Sequence, residues 1–338
     1  MSASQSVRKP SDTSKGRLHI DYLLDLEAIA KNDIQDVIDG LQQPQKSLPP
    51  RYFYDRQGSL LFEAICQLPE YYPTRTEAVI LSQYAGEIVD RTQAEELVEL
   101  GSGSSTKTRY LFDAYQDRDL PLTYVPVDVS GSMLSATAED LLSDYAQLKI
   151  QGKVATYDGA LEQLGDRDLT RTIAFLGSSI GNFAANQCDL FLKHLTTALN
   201  PGDYFLLGID LQKPVAVLEA AYNDEQGVTA AFNLNMLQHL NDRFEGNFCL
   251  DNFQHQAIYN QTEHQIEMYL VSQKAQTVNL KSLDLTIELD KQERILTEIS
   301  RKFDLKDMAQ YLGKRELNVV ETYTDAQQWF GLLLCQLN

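Results

Sequence analysis

The stretch ELGSGSSTKT (99–108) holds the densest chemical signal in the chain. An apolar run ends in an acid, turns through two glycines and leads directly into a helix-forming segment, Thr106 to Tyr115. Glycines at 101 and 103 permit a sharp turn and let backbone N–H groups approach a ligand at the helix N-terminus. The G-x-G-x-x-G spacing of a dinucleotide site is not met, because residue 106 is Thr. The turn points to a mononucleoside cofactor, S-adenosylmethionine first. A tight strand-to-helix turn with no ligand is the plain alternative.

Other residues can complete such a site. Asp128 closes the run TYVPVD, where a carboxylate can accept from both ribose hydroxyls or simply cap a helix. Asp158, in ATYDG, can accept from the exocyclic amine of adenine or form a turn before Gly159. Asn182 ends FLGSSIGN (175–182) and can donate to a substrate carboxylate or N-cap the helix that follows. The Pro-bounded loop PEYYPTRTE (69–77) crowds two tyrosines with opposed charges. It reads as a lid, or as a packed loop with an Arg75–Glu77 ion pair. Glu298 and Ser300, two apart, share one face of a strand. A carboxylate beside a hydroxyl suits an N–H-bearing ring or an amine; an exposed polar strand face is the alternative. Nothing supports nucleophilic or metal catalysis. The five histidines are scattered without an HExxH, no GxSxG occurs, and His255 and His264 near Glu263 and Glu267 give only a faint metal pattern. No metal is expected.

These residues need a scaffold, and the rest of the chain supplies its outline. At 338 residues, with 43% hydrophobic and 23% charged residues, the sequence is that of a soluble globular protein of one large or two ordinary domains. A net charge of −19 argues against nucleic-acid and anionic-membrane partners, because phosphate contacts need a basic surface. Four cysteines without a CxxC pair suit reduced thiols in a cytoplasmic protein. No apolar run reaches a membrane-spanning length, and the N-terminus lacks the apolar core of a secretory signal. Its first residues read as a disordered lead-in, with a short transit peptide as the lesser alternative.

Apolar spacing predicts helices over 21–41, 58–67 and 76–90. From residue 96, strands (96–100, 122–128, 148–157, 171–177, 203–209) alternate with helices (106–116, 131–145, 184–199). That rhythm favours a parallel sheet with crossover helices, an α/β fold. After Pro214 it changes to a helical pair and β-rich runs at 254–260, 264–272, 276–289 and 293–301, which suggests an inserted unit. A helix at 304–312 and strands at 316–322 and 330–336 then return to the edge of the main sheet as an antiparallel pair.

With these pieces assembled, the sequence resembles the S-adenosylmethionine-dependent histidine Nα-methyltransferases of ergothioneine biosynthesis. The resemblance runs from about residue 20 to the C-terminus. It is carried by KSLPPRYFYDRQGSLLFEAICQLPEYYPTRTEA (46–78), LVELGSGSSTKTR (97–109), FLGSSIGNF (175–183), YNDEQGVTAAFNLN (222–235), IEMYL (266–270) and LTEISRKF (296–303). It implies a Rossmann-like methyltransferase domain (76–212 and 303–338), a smaller discontinuous α+β substrate domain (20–75 and 213–302) and a disordered segment over 1–19.

The resemblance also implies site roles. The cofactor would meet Gly101, Gly103, Lys107, Asp128 and Asp158, with Tyr54 and the Tyr71 loop closing over it. Asn182 and Tyr222 would hold the amino-acid carboxylate. Tyr54, Glu298 and Ser300 would surround the imidazole, Met268 would line the side-chain pocket, and Tyr71 would lie near the amine as the catalytic candidate. The implied activity is three successive methylations of L-histidine to hercynine, by a protein read as a monomer. Gly159 stands where the family often has an aromatic, which puts the adenine pocket in question. The competing readings are the same chemistry on another amino acid such as tryptophan, disfavoured by Glu298 and Met268, and a non-catalytic homologue.

Overall fold

The computed structural model describes residues 16–24, 26–165 and 167–338, with backbone alone over 26–33. The chain opens with β1 (Leu18–Tyr22), α1 (Leu26–Gln42), a two-residue β2 (Lys46–Ser47), α2 (Arg56–Cys66) and α3 (Pro73–Thr92). Strict alternation follows: β3 (Glu96–Leu100), α4 (Arg109–Asp117), β4 (Thr123–Asp128), α5 (Gly131–Asp144), β5 (Lys149–Val154), α6 (Tyr157–Glu162), β6 (Arg171–Phe175), α7 (Ala185–Ala198) and β7 (Tyr204–Asp210). Next come α8 (Val215–Tyr222), α9 (Val228–Phe244), β8 (Phe253–Asn260), β9 (Gln265–Ser272), β10 (Gln276–Leu280), β11 (Leu285–Leu289) and β12 (Arg294–Arg301). The chain closes with α10 (Leu305–Gly313), β13 (Leu317–Thr324) and β14 (Phe330–Leu337).

Eight strands form one sheet in the order β1-β5-β4-β3-β6-β7-β14-β13. The first six pair in parallel, and β14 runs antiparallel to both β7 and β13. Every residue of β3 is buried, as a central parallel strand covered on both faces requires. Two apolar cores flank the sheet, one against α3, α4 and α5, the other against α6, α7 and α10. Strand order reverses between β3 and β6. Open parallel sheets bind ligands at such a switch point, beyond the strand carboxyl ends. The alternation after residue 96 and the antiparallel return are therefore as the sequence predicts.

A second unit carries its own core, joining Leu41, Tyr52 and Phe53 to Leu237, Leu270 and Ile287. Its sheet, β2-β12-β9-β8, and the hairpin β10–β11 pack against α9 and α1. A parallel bridge, Leu211 to Phe303, joins β7's exit to the chain just beyond β12. This brings the end of β12 beside the carboxyl end of β7.

Some elements depart from the sequence reading. Residues 1–15 of the expected disordered segment lie outside the described residues, but Leu18 and His19 are paired with Ile150 and Gln151 in β1. Residues 18–22 thus belong to the large sheet rather than to a tail or to a segment beginning at 20. The free edge of β5 offers unpaired backbone groups, and β1 satisfies them. The run 276–289 is two strands reversed through Lys281–Leu283, with Asp284 at a positive φ of 49°. The run 148–157 stops at Val154, because Thr156 caps α6 by accepting from the Gly159 N–H at 3.2 Å. Asp158 consequently sits in a helical turn.

Candidate active site

A cleft of about 680 Å³, including its open mouth, lies between the large sheet and the second unit. Tyr54, Tyr71, Asn182, Tyr222, Met268, Glu298 and Ser300 all line it. Six separate segments contribute. Tyr54 follows a short 3₁₀ turn at Pro50–Phe53, Tyr71 precedes α3, and Asn182 ends the 3₁₀ turn Ser179–Asn182 after β6. Tyr222 is the last residue of α8, Met268 lies on β9, and Glu298 and Ser300 lie on β12. The N-cap of α7 is Ala184, so Asn182 is not engaged as that helix's cap.

The β12 geometry follows from its pleat. Glu298 pairs in register with Met268 on β9, just after an irregularity between Leu296 and Glu298, and Ser300 follows on the same face. Lys302 continues that period and is 2% exposed. Its Nζ donates to Asp210 Oδ2 at 2.8 Å, to Ser300 Oγ at 2.8 Å and to Tyr222 Oη at 3.0 Å. Asp210, at the end of β7, also accepts from Tyr72 Oη at 2.8 Å and from Lys213. Tyr222 Oη and Ser300 Oγ are 3.0 Å apart. The carboxyl end of β7 and the end of β12 are thus joined by a buried network of two lysines, one aspartate and three hydroxyls.

Burial and charge set the protonation of this wall. Burial raises Glu298 to about 7, and the charge of Lys302 holds it from going higher. Burial would raise Asp210 too, but Lys302 and Lys213 outweigh it and keep the aspartate below the usual carboxylate range. Burial opposes the charge on Lys302, yet Asp210 beside it holds its pKa above normal. Lys213, with less compensation, is pushed down to about 8 by burial. The Tyr71 phenol is raised by burial and then by Tyr222, which makes it a neutral hydroxyl rather than a base at neutral pH.

The glycine turn is a separate feature, linked to the cleft through Lys107, whose Nζ would lie 3.6 Å from a Cβ at the lining residue Gly177. Gly101 (φ 73°) and Gly103 (φ 49°) occupy the left-handed region, where a side chain is strained. The Gly101 and Ser102 N–H groups donate to Val127 O, tying the turn to β4. Asp128 accepts from Gly103 N at 3.0 Å and from Ser130 N at 2.8 Å. These two bonds leave acceptor capacity on the carboxylate for a diol, and the space above Gly103 is open. The turn therefore fits an adenosyl cofactor. Lys107 pairs with Glu77, a fully buried carboxylate that also accepts the Gly177 N–H at 2.8 Å.

Two expectations change here. The Arg75–Glu77 pair does not form, because residues two apart on α3 do not face each other. Instead Arg75 donates to the carbonyls of Leu68 and Pro69. Asp158 is engaged by His194 Nδ1 at 2.8 Å, with its side chain 53% exposed. The residue packed on the turn is its neighbour Tyr157, whose Oη would lie 2.9 Å from a Cβ at Gly101. The aromatic looked for after Asp158 thus stands before it. Sequence reading also passed over Glu77's true partners and the Asp210–Lys302–Lys213 group, although Lys302 keeps the same period as Glu298 and Ser300. His255 serves the fold, bonding Asn233 and Tyr222 O, each at 2.8 Å. Among the described residues no cluster of His, Cys, Asp and Glu could hold a metal, and no helix is long and apolar enough to cross a membrane.

Comparison with known proteins adds an independent view. A family model described as "Histidine-specific methyltransferase, SAM-dependent" matches residues 33–337. The histidine N-alpha-methyltransferase of Mycobacterium tuberculosis is 43% identical over 300 residues, covering 89% of this chain and 93% of that protein. The enzyme of the same name from Mycolicibacterium smegmatis is 41% identical, with the same coverage of each chain. Ergothioneine biosynthesis protein 1 of Neurospora crassa is 35% identical over 58% of this chain and 23% of that protein.

Proposed function

The chain belongs to the histidine-specific, S-adenosylmethionine-dependent methyltransferase family, and on that premise we propose that it methylates the α-amine of L-histidine three times, giving hercynine in ergothioneine biosynthesis. When bound, S-adenosylmethionine would supply an electrophilic sulfonium methyl for in-line attack by the neutral amine, with S-adenosylhomocysteine as the leaving group. Gly101, Gly103, Lys107 and Asp128 would hold that cofactor, with Tyr54 over its edge. Asp158 would act only if it leaves His194. This reading divides the chain into a cofactor unit (76–212 and 303–338) and a substrate unit (20–75 and 213–302). L-Histidine is the small-molecule partner; a monomer in the cytoplasm, without metal, completes the proposal.

The chain's own residues supply position and alignment, which can be worth about 7–11 kcal/mol. Asn182 and Tyr222 offer neutral donors for the carboxylate. Glu298 and Ser300 address the imidazole, Met268 fills the floor beside it, and Tyr54 closes the mouth. Tyr71, a neutral phenol, can guide the amine proton toward solvent between rounds, as a relay and not as a strong base. The α-amine of free histidine is mostly protonated near neutrality, so the reactive free base is the minor form that the site must select.

The observation that supports this reading best is the pairing of an acid and a hydroxyl, Glu298 and Ser300, in the lining of the cleft. A ring without nitrogen would leave Glu298 unpaired, at a cost of about 1–3 kcal/mol. Mass spectrometry of the products from a mixture of histidine and tryptophan with S-adenosylmethionine tests it. Stepwise addition of one, two and three methyls to histidine is the expected result. Unmodified histidine beside a methylated tryptophan would overturn it.

A further inference from the structure

Lys302 touches both Tyr222 and Ser300 yet has no part in the mechanism above. An ammonium has three N–H donors and no acceptor. Asp210, Tyr222 and Ser300 occupy all three, at 2.8, 3.0 and 2.8 Å. Both hydroxyl oxygens are therefore acceptors toward Lys302. The 3.0 Å contact between them takes one of their two protons. A single O–H is left for the cleft.

Which one is left follows from the reading under Proposed function, on which this inference rests. A carboxylate only accepts, so the tyrosine that holds it must donate to it. Ser300 then donates to Tyr222 Oη and turns a lone pair toward the ring. We propose that Lys302 is a positioning residue that makes Ser300 an acceptor, so that bound histidine donates a ring N–H to Ser300 and shares an extra proton with Glu298. A neutral imidazole has one N–H and one bare nitrogen. With the N–H on Ser300, the bare nitrogen faces Glu298 and a proton must lie between them. The pair is then imidazolium with carboxylate, or imidazole with carboxylic acid. Either form holds one proton more than neutral imidazole plus carboxylate, and that proton comes from the solvent.

The titratable groups facing Glu298 are Tyr54 and Tyr71 from the two loops, Tyr222 from α8 and Lys302 from just beyond its own strand. Its partner across β9 is Met268, which brings no charge. The only cation among these, Lys302, already contacts Asp210. A raised Glu298, at about 7, agrees with a carboxyl that takes up a proton readily.

Calorimetry reads the proton directly. The enzyme loaded with S-adenosylhomocysteine is titrated at pH 8 with N,N,N-trimethylhistidine, which lacks a titratable amine, in buffers of different ionisation heat. Wild type should take up roughly 0.9 proton per ligand, since free ring and Glu298 are mostly deprotonated there, and Glu298→Gln should abolish the uptake. Lys302→Met should release Ser300 to donate and cut the uptake about threefold or more, with S-adenosylhomocysteine affinity reporting an intact fold. A Lys302→Met protein that binds more weakly with unchanged uptake makes Lys302 merely structural and overturns the proposal. Wild-type uptake near zero overturns it without any variant. Absence of binding heat for both histidine and its trimethylated form would instead remove the histidine reading, and the wiring with it.

Discussion

The cofactor turn and the substrate cleft are built on opposite plans. On the cofactor side, backbone N–H groups of short loops meet nearby carboxylates: Gly103 and Ser130 on Asp128, Gly177 on Glu77. On the substrate side, side chains from distant segments meet one another: Tyr72, Asp210, Lys213, Tyr222, Ser300 and Lys302. The first plan relies on main-chain donors and tolerates many side chains provided the glycines remain. The second is global, because each charge is tolerable only while its partners are present. A cofactor turn built on main-chain donors is thus set against a substrate surface built on side chains.

Breaking the substrate-side network should have the largest consequence. Asp210→Ala leaves Lys302 and Lys213 buried without their counter-ion, so urea unfolding should show a loss of about 3–5 kcal/mol. A loss comparable to a surface substitution would show that the network is not held by charge.

The cofactor side should respond in affinity rather than stability. Asp128→Ala should weaken S-adenosylhomocysteine binding by roughly 1.5–3 kcal/mol in calorimetry, the range for hydrogen bonds to a charged group. An unchanged Kd would remove Asp128 from the site.

A smaller effect separates the two by pH. Glu298 titrates at about 7 in the folded protein, above the ordinary carboxyl value of 4.5. Its contribution to stability is fully present below pH 4.5 and lost as pH rises through 7. Between those limits the ligand-free wild type should lose on the order of 1–2 kcal/mol relative to Glu298→Gln, with the solvent-open side of the cleft reducing the full linkage value. Parallel thermal-melt profiles would contradict this. Smallest of all, Asp158→Ala should change cofactor affinity by less than about 0.5 kcal/mol while its exposed carboxylate stays on half-buried His194. A loss as large as that of Asp128→Ala would show that Asp158 turns to the ligand.

The same contrast explains what could be read from the sequence. The glycine turn was legible because positive φ at Gly101 and Gly103 is a local steric demand. The Glu298–Ser300 face was legible because a strand has a period of two. That period also carries Lys302, but a lysine directly after an arginine reads as a solvated charge until Asp210 is known to lie beside it. The partner is nearly a hundred residues away, and only the Leu211–Phe303 bridge brings it there. Asp158 was misread for a nearer reason. Thr156, a helix N-cap, ended the strand early and turned the acid outward, toward His194. Strand β1 was missed because five residues carry too little pattern, and its pairing depends on the edge of β5.

The central claim is that Glu298, beside Ser300, selects the imidazole. The ratio of kcat/KM for histidine to that for tryptophan, in wild type and Glu298→Ala, tests it most directly. The account predicts a strong histidine preference in wild type, reduced roughly 10- to 150-fold in the variant, which corresponds to about 1.5–3 kcal/mol. A ratio that the substitution leaves unchanged, or a wild-type preference for tryptophan, would contradict it.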